Sequence, residues 1–318
     1  MRTTDALPAA AAATAVVMAA ACGADAEEDQ EPGSTEEPGP EPAPPVPEGT
    51  VTTQHPATVM DDDGTAELCL GAVAESYPPQ CSGPELIDWE WEDQDPGAYT
   101  QEGEVRWGEF VVDGVYDPQQ DTFDHESAVP AADWDGEHAG ESVDFTTPCE
   151  EPEGGWEVQD PDLVSEELMY DTFQRAEELD DFAGSWMDQS QSPVQTEDLD
   201  DEDLSDEERR ELEGSANDPD HVIINVRVTE DPDAAYDFLR EEWGGMLCIS
   251  LAERSSAELE EIQEEIVELD GVQAAGVDVT SNQLMVEVVY DDGSLQSDFD
   301  GLYGTGTVRV DSRLVEAQ

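Results

Sequence analysis

The sequence predicts an α+β protein, with an all-β part followed by an α/β part. Three observations carry this. Between residues 51 and 134, strand-like runs are separated by turn residues and no helical period appears. From residue 221 onward, strands alternate with amphipathic helices that carry capping residues. Residues 1–50 hold a short apolar run and a Pro/Glu-rich stretch, and neither reads as part of a core.

The N-terminus predicts export. Arg2 is the only base ahead of an apolar run from Leu7 to Ala21. That length suits a signal peptide (residues 1–21) and is short for a membrane-spanning helix. The run ends Met18-Ala19-Ala20-Ala21-Cys22-Gly23, which resembles a lipobox. Cys22 would then be diacylated and hold the chain on the extracytoplasmic face of the cell membrane. Ala19 stands where Leu, Val or Ile is usual, and Ala19-x-Ala21 also suits ordinary signal-peptide cleavage, so secretion is the alternative. Residues 22–50 are Pro, Glu and Gly with little to bury, which predicts a disordered, extended tether.

The all-β part spans residues 51–134. Strands are predicted at Ala57–Met60, Glu67–Val73, Ile87–Trp91, Val105–Val115 and Asp121–Val129. Asp63-Gly64, Pro78-Pro79, Asp95-Pro96-Gly97 and Asp117-Pro118 separate them. About five short strands without a helix suggest a small antiparallel β-barrel, OB-like in type. Tyr77, Trp89, Trp91, Trp107 and Tyr116 are candidates for a ligand-binding, sugar-stacking face; the competing reading is that they fill the core.

Residues 135–160 form an irregular connector rich in Gly, Asp and Glu, and residues 161–220 an acidic helical segment. In the latter, Ser165 caps a helix whose Leu168, Thr172, Ala176 and Leu179 share one face. Phe182 and Trp186 are expected to close it. The densest acid run lies between Gln195 and Asn217 and contains a capping-box pattern at Ser205 and Glu208. A calcium loop needs alternating ligands, a central Gly and a closing Glu, and no Gly falls in that register. Asp61-Asp62-Asp63-Gly64 fails as well, because Val59 occupies the first ligand position. A solvated acidic helix is the better reading, and no metal or cofactor is expected.

The α/β part spans residues 221–318. His221–Thr229 reads as a strand. Asp231 and Pro232 open a helix with Ala235, Tyr236, Leu239 and Trp243 inward. Met246–Ser250 is a strand. Ser255 and Glu258 open a second helix with Leu259, Ile262, Ile266 and Leu269 on one face, and Gly271 ends it. Strands Ala275–Val279 and Gln283–Tyr290 form a hairpin across Ser281-Asn282. A helix at Leu295–Tyr303 and a strand at Thr307–Val315 complete the chain. From Met246 the order is βαββαβ, which predicts a ferredoxin-like α/β sandwich. No internal repeat is apparent.

Of the five cysteines, Cys22 is set aside for lipid, and four remain: Cys69, Cys81, Cys149 and Cys248. Exported chains meet oxidising conditions, so two disulfides are expected. Four cysteines allow three connectivities. Cys69 and Cys81 flank the short SYPPQ turn and are paired here, which leaves Cys149 with Cys248. A metal site has little support: there is no CxxC, and His55, His125, His138 and His221 have no ligand spacing.

The formal charge is −73, from 83 acids and 10 bases, all of them Arg. Such an excess repels itself unless salt screens it. At 1 M salt the Debye length is about 3 Å, so the composition suits a high-salt, halophilic habitat. Nucleic acid is excluded, because phosphate binding needs basic patches. No GxSxG, HExxH, Walker or Rossmann motif occurs. The function expected is therefore a non-catalytic binding or interaction module of the cell envelope. Its partners would be the membrane, through the lipid anchor, and an envelope protein or glycan. The alternatives are an inhibitor-like or structural envelope protein, and an envelope hydrolase without a recognisable motif.

Five stretches together, ELCLGAVAESYPPQC, VRWGEF, TTPCEEPEGGW, WGGMLCIS and DVTSNQLMVEV, resemble a family of exported proteins or lipoproteins of high-GC Gram-positive bacteria. The likeness covers most of the mature chain. It implies export and cysteines in matching places, and it implies no activity. DVTSNQLMVEV also looks like a hairpin of bacterial serine-protease propeptides, a short match that underlies the inhibitor-like alternative.

Overall fold

The longest strand organises the all-β part. β6 (Val105–Asp117) has branched and aromatic residues along 13 positions, and its inward side chains Phe110 and Val112 are fully buried. Around it lie β1 (Val51–Thr53), β2 (Ala57–Asp61), β3 (Ala66–Leu68), β4 (Glu85–Ile87), β5 (Tyr99–Glu102) and β7 (Thr122–Pro130). This is a computed structural model that describes residues 42–317 apart from 63, 75, 137–142, 195–203, 206–208, 211, 213 and 216. The expected signal segment, Cys22, most of the tether and most of the acid run 195–217 lie outside the described residues.

β6 pairs with β2, β2 with β3, β3 with β4, β4 with β7, and β7 again with β6, so these pairings close a ring. Val59, Leu68, Leu86, Phe110, Val112 and Phe123 fill its interior, each worth about 1.5–3 kcal/mol of transfer free energy. Where the chain turns from β3 toward β4, a Cβ on Gly83 would stand 1.8 Å from the Leu68 carbonyl oxygen, so the close approach needs glycine.

Strand predictions were displaced where local chemistry differed. Of the run expected at Glu67–Val73 only Glu67 and Leu68 are in a strand, which begins at Ala66, because Cys69 onward leaves the ladder for a disulfide loop. The run expected at Ile87–Trp91 becomes β4 followed by a 3₁₀ turn at Trp91–Asp93. The indole of Trp91 is drawn inward, where its Nε1 donates to buried Asp61 Oδ2 at 3.1 Å. Arg106 Nη2 donates to the same oxygen at 2.8 Å.

The remaining chain contains α1 (Glu166–Ala176), β8 (Phe182–Asp188), β9 (Ile223–Val228), α2 (Pro232–Arg240) and β10 (Met246–Leu251). Then come α3 (Ser256–Ile266), β11 (Val272–Asp278), β12 (Gln283–Tyr290), α4 (Ser294–Tyr303) and β13 (Val308–Glu316). Expected caps are present: Ser165 accepts from Leu168 N–H, Asp231 from Ala234 N–H and Ser255 from Glu258 N–H. Gly271 has φ 90° but does not end α3: the helix closes at Val267, and Gly271 makes the turn that leads into β11. Phe182 and Trp186 do not close α1. They lie in β8, because Asp180 and Asp181 sit in a turn and the following residues zip antiparallel onto β9.

The two groups of five elements are repeats of one αββαβ unit, contrary to the sequence expectation of no repeat. In each, the first two strands are antiparallel and the last two parallel. The first helix and strand begin and end 90 residues apart (166 and 256, 176 and 266; 182 and 272, 188 and 278). Buried Met169 and Ala176 match buried Leu259 and Ile266. Identity is confined to scattered positions, such as Ser165 and Ser255, and the Glu-Leu-Asp triplets at 178–180 and 268–270. The link after the first strand is also far longer in the first unit, 189–222 against 279–282, so no single spacing spans both units.

The units are used differently. β10, β9 and β8 form a separate three-stranded sheet. β11, β12 and β13 join the large sheet through β1, which pairs with β13 on one edge and β6 on the other. The βαββαβ order expected from Met246 is present along the chain, but its first strand is not in the sheet of the other three. β10 lies parallel to β9 across the α2 crossover and is held there.

Both disulfides join the expected cysteines, Cys69 with Cys81 and Cys149 with Cys248. The second pins the connector over the face of the small sheet that α1 and α2 do not cover. There Trp156 packs against Ile223, Met246 and Cys248. Trp186 Nε1 donates to Phe145 O, and Thr147 N–H donates to buried Asp188.

Candidate functional site

A groove arises where the large sheet forks. Gln54, His55 and Pro56 interrupt the path from β1 to β2, and the proline has no N–H for a ladder. On one side of the interruption β1 keeps β13 as its neighbour, and on the other β2 takes β3. Between the diverging partners lies a cavity of about 720 Å³. Its floor is the outer face of β2 and β6, where Thr58 stands opposite Glu109.

One wall is the loop closed by Cys69 and Cys81. Within it, Ala74 N–H donates to Gln80 O at 2.8 Å and Ser76 Oγ donates to Pro78 O at 2.8 Å. These bonds present Tyr77, which is 75% exposed and meets Trp107 edge-on with ring centroids 5.4 Å apart. The facing wall is β5, where Thr100 stands opposite Trp107 and Tyr99 leans on Trp91 at 4.9 Å. Asp311, Ser312 and Arg313 of β13 close one end, and Arg313 is ion-paired with Glu287.

The five aromatics expected to form a face are divided. Tyr77 and Trp107 meet in the groove. Trp89 and Trp91 belong to the core, at 9% and 2% exposure, and Trp89 stacks edge-on against Trp91, Phe110 and His125. They alternate inward along a short path between β4 and β5, so neither offers a face to a ligand. Tyr116 packs half-buried against that core, outside the groove; burial, then Asp121 and Asp117, raise its phenol pKa. Cys22 lies outside the described residues. Tyr99 and Gln54 were not anticipated. The signal for Tyr99 was a hairpin pattern, Asp95-Pro96-Gly97 followed by Tyr99-Thr100-Gln101 and Gly103. Gln54 carries no sequence signal, because its place depends on the fork.

The groove's polar side chains are partly engaged within the chain itself. Its serine hydroxyls donate to backbone, Ser76 to Pro78 O and Ser312 to Leu314 O. Among the described residues no group of three His, Cys, Asp or Glu is placed to hold a metal ion, and no helix is long and apolar enough to cross a membrane. The two disulfides suit an oxidising, extracellular location. The chain matches no protein-family model and no curated protein.

Proposed function

We propose that this chain is an extracytoplasmic binding module, exported to the cell envelope and held there by lipid on Cys22. The acidic Pro-rich tether then lifts the folded part clear of the membrane. The observation that carries the binding reading is the groove beside the Cys69–Cys81 loop, with exposed Tyr77 braced on Trp107. An exposed aromatic held by a closed loop is already ordered, so a ligand that stacks on it meets a small entropic cost.

Numbered along the chain, the ring strands β2, β3, β4, β6 and β7 neighbour one another in the order 1-2-3-5-4-1, and the third and fifth are parallel. That order favours an OB-like barrel. A ferredoxin-like sandwich has chain order in its favour and lacks the single sheet.

Two measurements test the proposal. Hydrogen exchange of the mature chain with a solubilised envelope extract should show protection at residues 69–81 and 97–100. Unchanged exchange there removes the groove as the binding site. Mass spectrometry of the mature N-terminus should find a diacylglyceryl adduct on Cys22, and a bare thiol there removes the anchor.

A further inference from the structure

The groove interrupts the acidic surface. Of the 23 described residues that line it, two are acids, Glu109 and Asp311, against 83 acids in the 318 residues of the chain. Its one arginine, Arg313, is neutralised by Glu287. A cation-binding groove would keep its carboxylates, and an anion-binding groove would present an unpaired base inside a field of −73. Neither is found. In molar salt the Debye length is about 3 Å, so affinity there must come from contact and not from long-range charge.

The contacts on offer are flat apolar rings and neutral hydrogen-bonding groups. Tyr77, Trp107 and Tyr99 supply the rings. Gln54, Thr58 and Thr100 supply an amide and two hydroxyls, each able to donate and accept. A polypeptide ligand would gain most by adding a strand to an open edge. The floor offers none, since β2 lies between β3 and β6, and β6 lies between β2 and β5, and the unpaired edge of the β5 wall is only four residues long. A molecule with hydroxyls on its rim and apolar C–H faces uses all of these features at once. The volume lies within the range of about 300–1,000 Å³ for small-ligand clefts.

We infer that the groove takes an uncharged carbohydrate chain, stacked on Tyr77 and Trp107. This rests on the reading of the groove as a binding site. The test is a tryptophan-fluorescence titration of the mature chain in about 2 M NaCl, where charge is screened. The probes are neutral hexasaccharides (maltohexaose, cellohexaose and N-acetylated chitohexaose), an oligogalacturonate and hexalysine. At least one neutral sugar should bind saturably at millimolar concentration or below. Tyr77→Ala should weaken it about tenfold, a loss of about 1.4 kcal/mol. Tyr77→Phe should retain most of the affinity, and Tyr170→Ala, an exposed tyrosine on α1, should retain all of it. Both Tyr77 variants remain folded because the side chain is largely in solvent. Tyr77-dependent binding of oligogalacturonate or hexalysine alone overturns the carbohydrate assignment and leaves the binding site standing. Silence towards the neutral sugars overturns the assignment as well, and silence towards every probe, with unchanged exchange in the envelope extract, removes both.

Discussion

Removing the Cys149–Cys248 disulfide should destabilise the chain by about 2 kcal/mol more than removing Cys69–Cys81. The comparison is clean because the two bridges sit in similar surroundings. Each joins one buried sulfur, Cys248 or Cys69, to one half-buried sulfur, Cys149 or Cys81. Replacing either pair with alanine therefore removes similar packing. The bridges differ in the loop they close, with sequence separations of 99 and 12. Loop-closure entropy scales as 1.5RT times the logarithm of loop length, and this ratio gives the difference of about 2 kcal/mol. In absolute terms the long loop is worth about 4.7 kcal/mol and a loop of about 15 residues about 3 kcal/mol. The long bridge also holds the connector against Trp186 and Asp188, which adds in the same direction. The assay is equilibrium urea unfolding in high salt of Cys149→Ala/Cys248→Ala beside Cys69→Ala/Cys81→Ala, extrapolated linearly to water. Equal losses, or a larger loss for the short loop, would refute the reasoning.

Other changes bear on single interactions. Arg106→Ala leaves the Asp61 carboxylate buried at 3% exposure with, among the described residues, the Trp91 indole and the Gly64 N–H, and should cost about 3 kcal/mol in the same unfolding assay; a loss near zero would mean solvent reaches Asp61. Asn282 brackets the β10–α3 link: its Oδ1 accepts from Glu253 and Arg254 N–H and its Nδ2 donates to Arg254 O, so Asn282→Ala should cost about 2–3 kcal/mol, and an unchanged midpoint would sink that estimate. Burial pushes the Asp278 carboxyl up, but hydrogen bonds from Ser281 Oγ, Thr280 Oγ1 and backbone N–H outweigh it and hold its pKa below the ordinary value. Its contribution to stability is full above the unfolded value near pH 3.9 and is lost as the pH falls through the lower folded value. The acid limb of the stability curve should therefore be steeper for the natural chain than for Asp278→Asn, and parallel limbs would exclude the effect. The thermal midpoint should rise with NaCl up to about 1 M, as screening relieves self-repulsion; a flat dependence would contradict the high-salt reading.

Helix starts were legible because a cap is a local device. Ser165, Asp231 and Ser255 each satisfy an N–H three residues ahead, whatever the rest of the chain does. The pairing of Cys69 with Cys81 was legible for the same reason, since 12 residues and a turn bring the ends together. Trp89 and Trp91 were ambiguous, because an aromatic has the same sequence signature in a core as on a binding face. Burial alone separates them from Tyr77 and Trp107.

The sequence by itself determined the α+β class, most elements and their caps, the pairing of Cys69 with Cys81 and the acid excess, all properties of near neighbours along the chain or of composition. Only the tertiary structure decided that β10 follows β9 into a second sheet, that one αββαβ unit occurs twice, and that β1 bridges β6 to β13. The groove belongs to this second group. It unites Gln54, Tyr77, Tyr99, Trp107 and Arg313, residues up to about 260 positions apart, through strand pairings that depend on which edges remain free. That choice depends on the competition among all the strands for partners, and no local window of sequence records it.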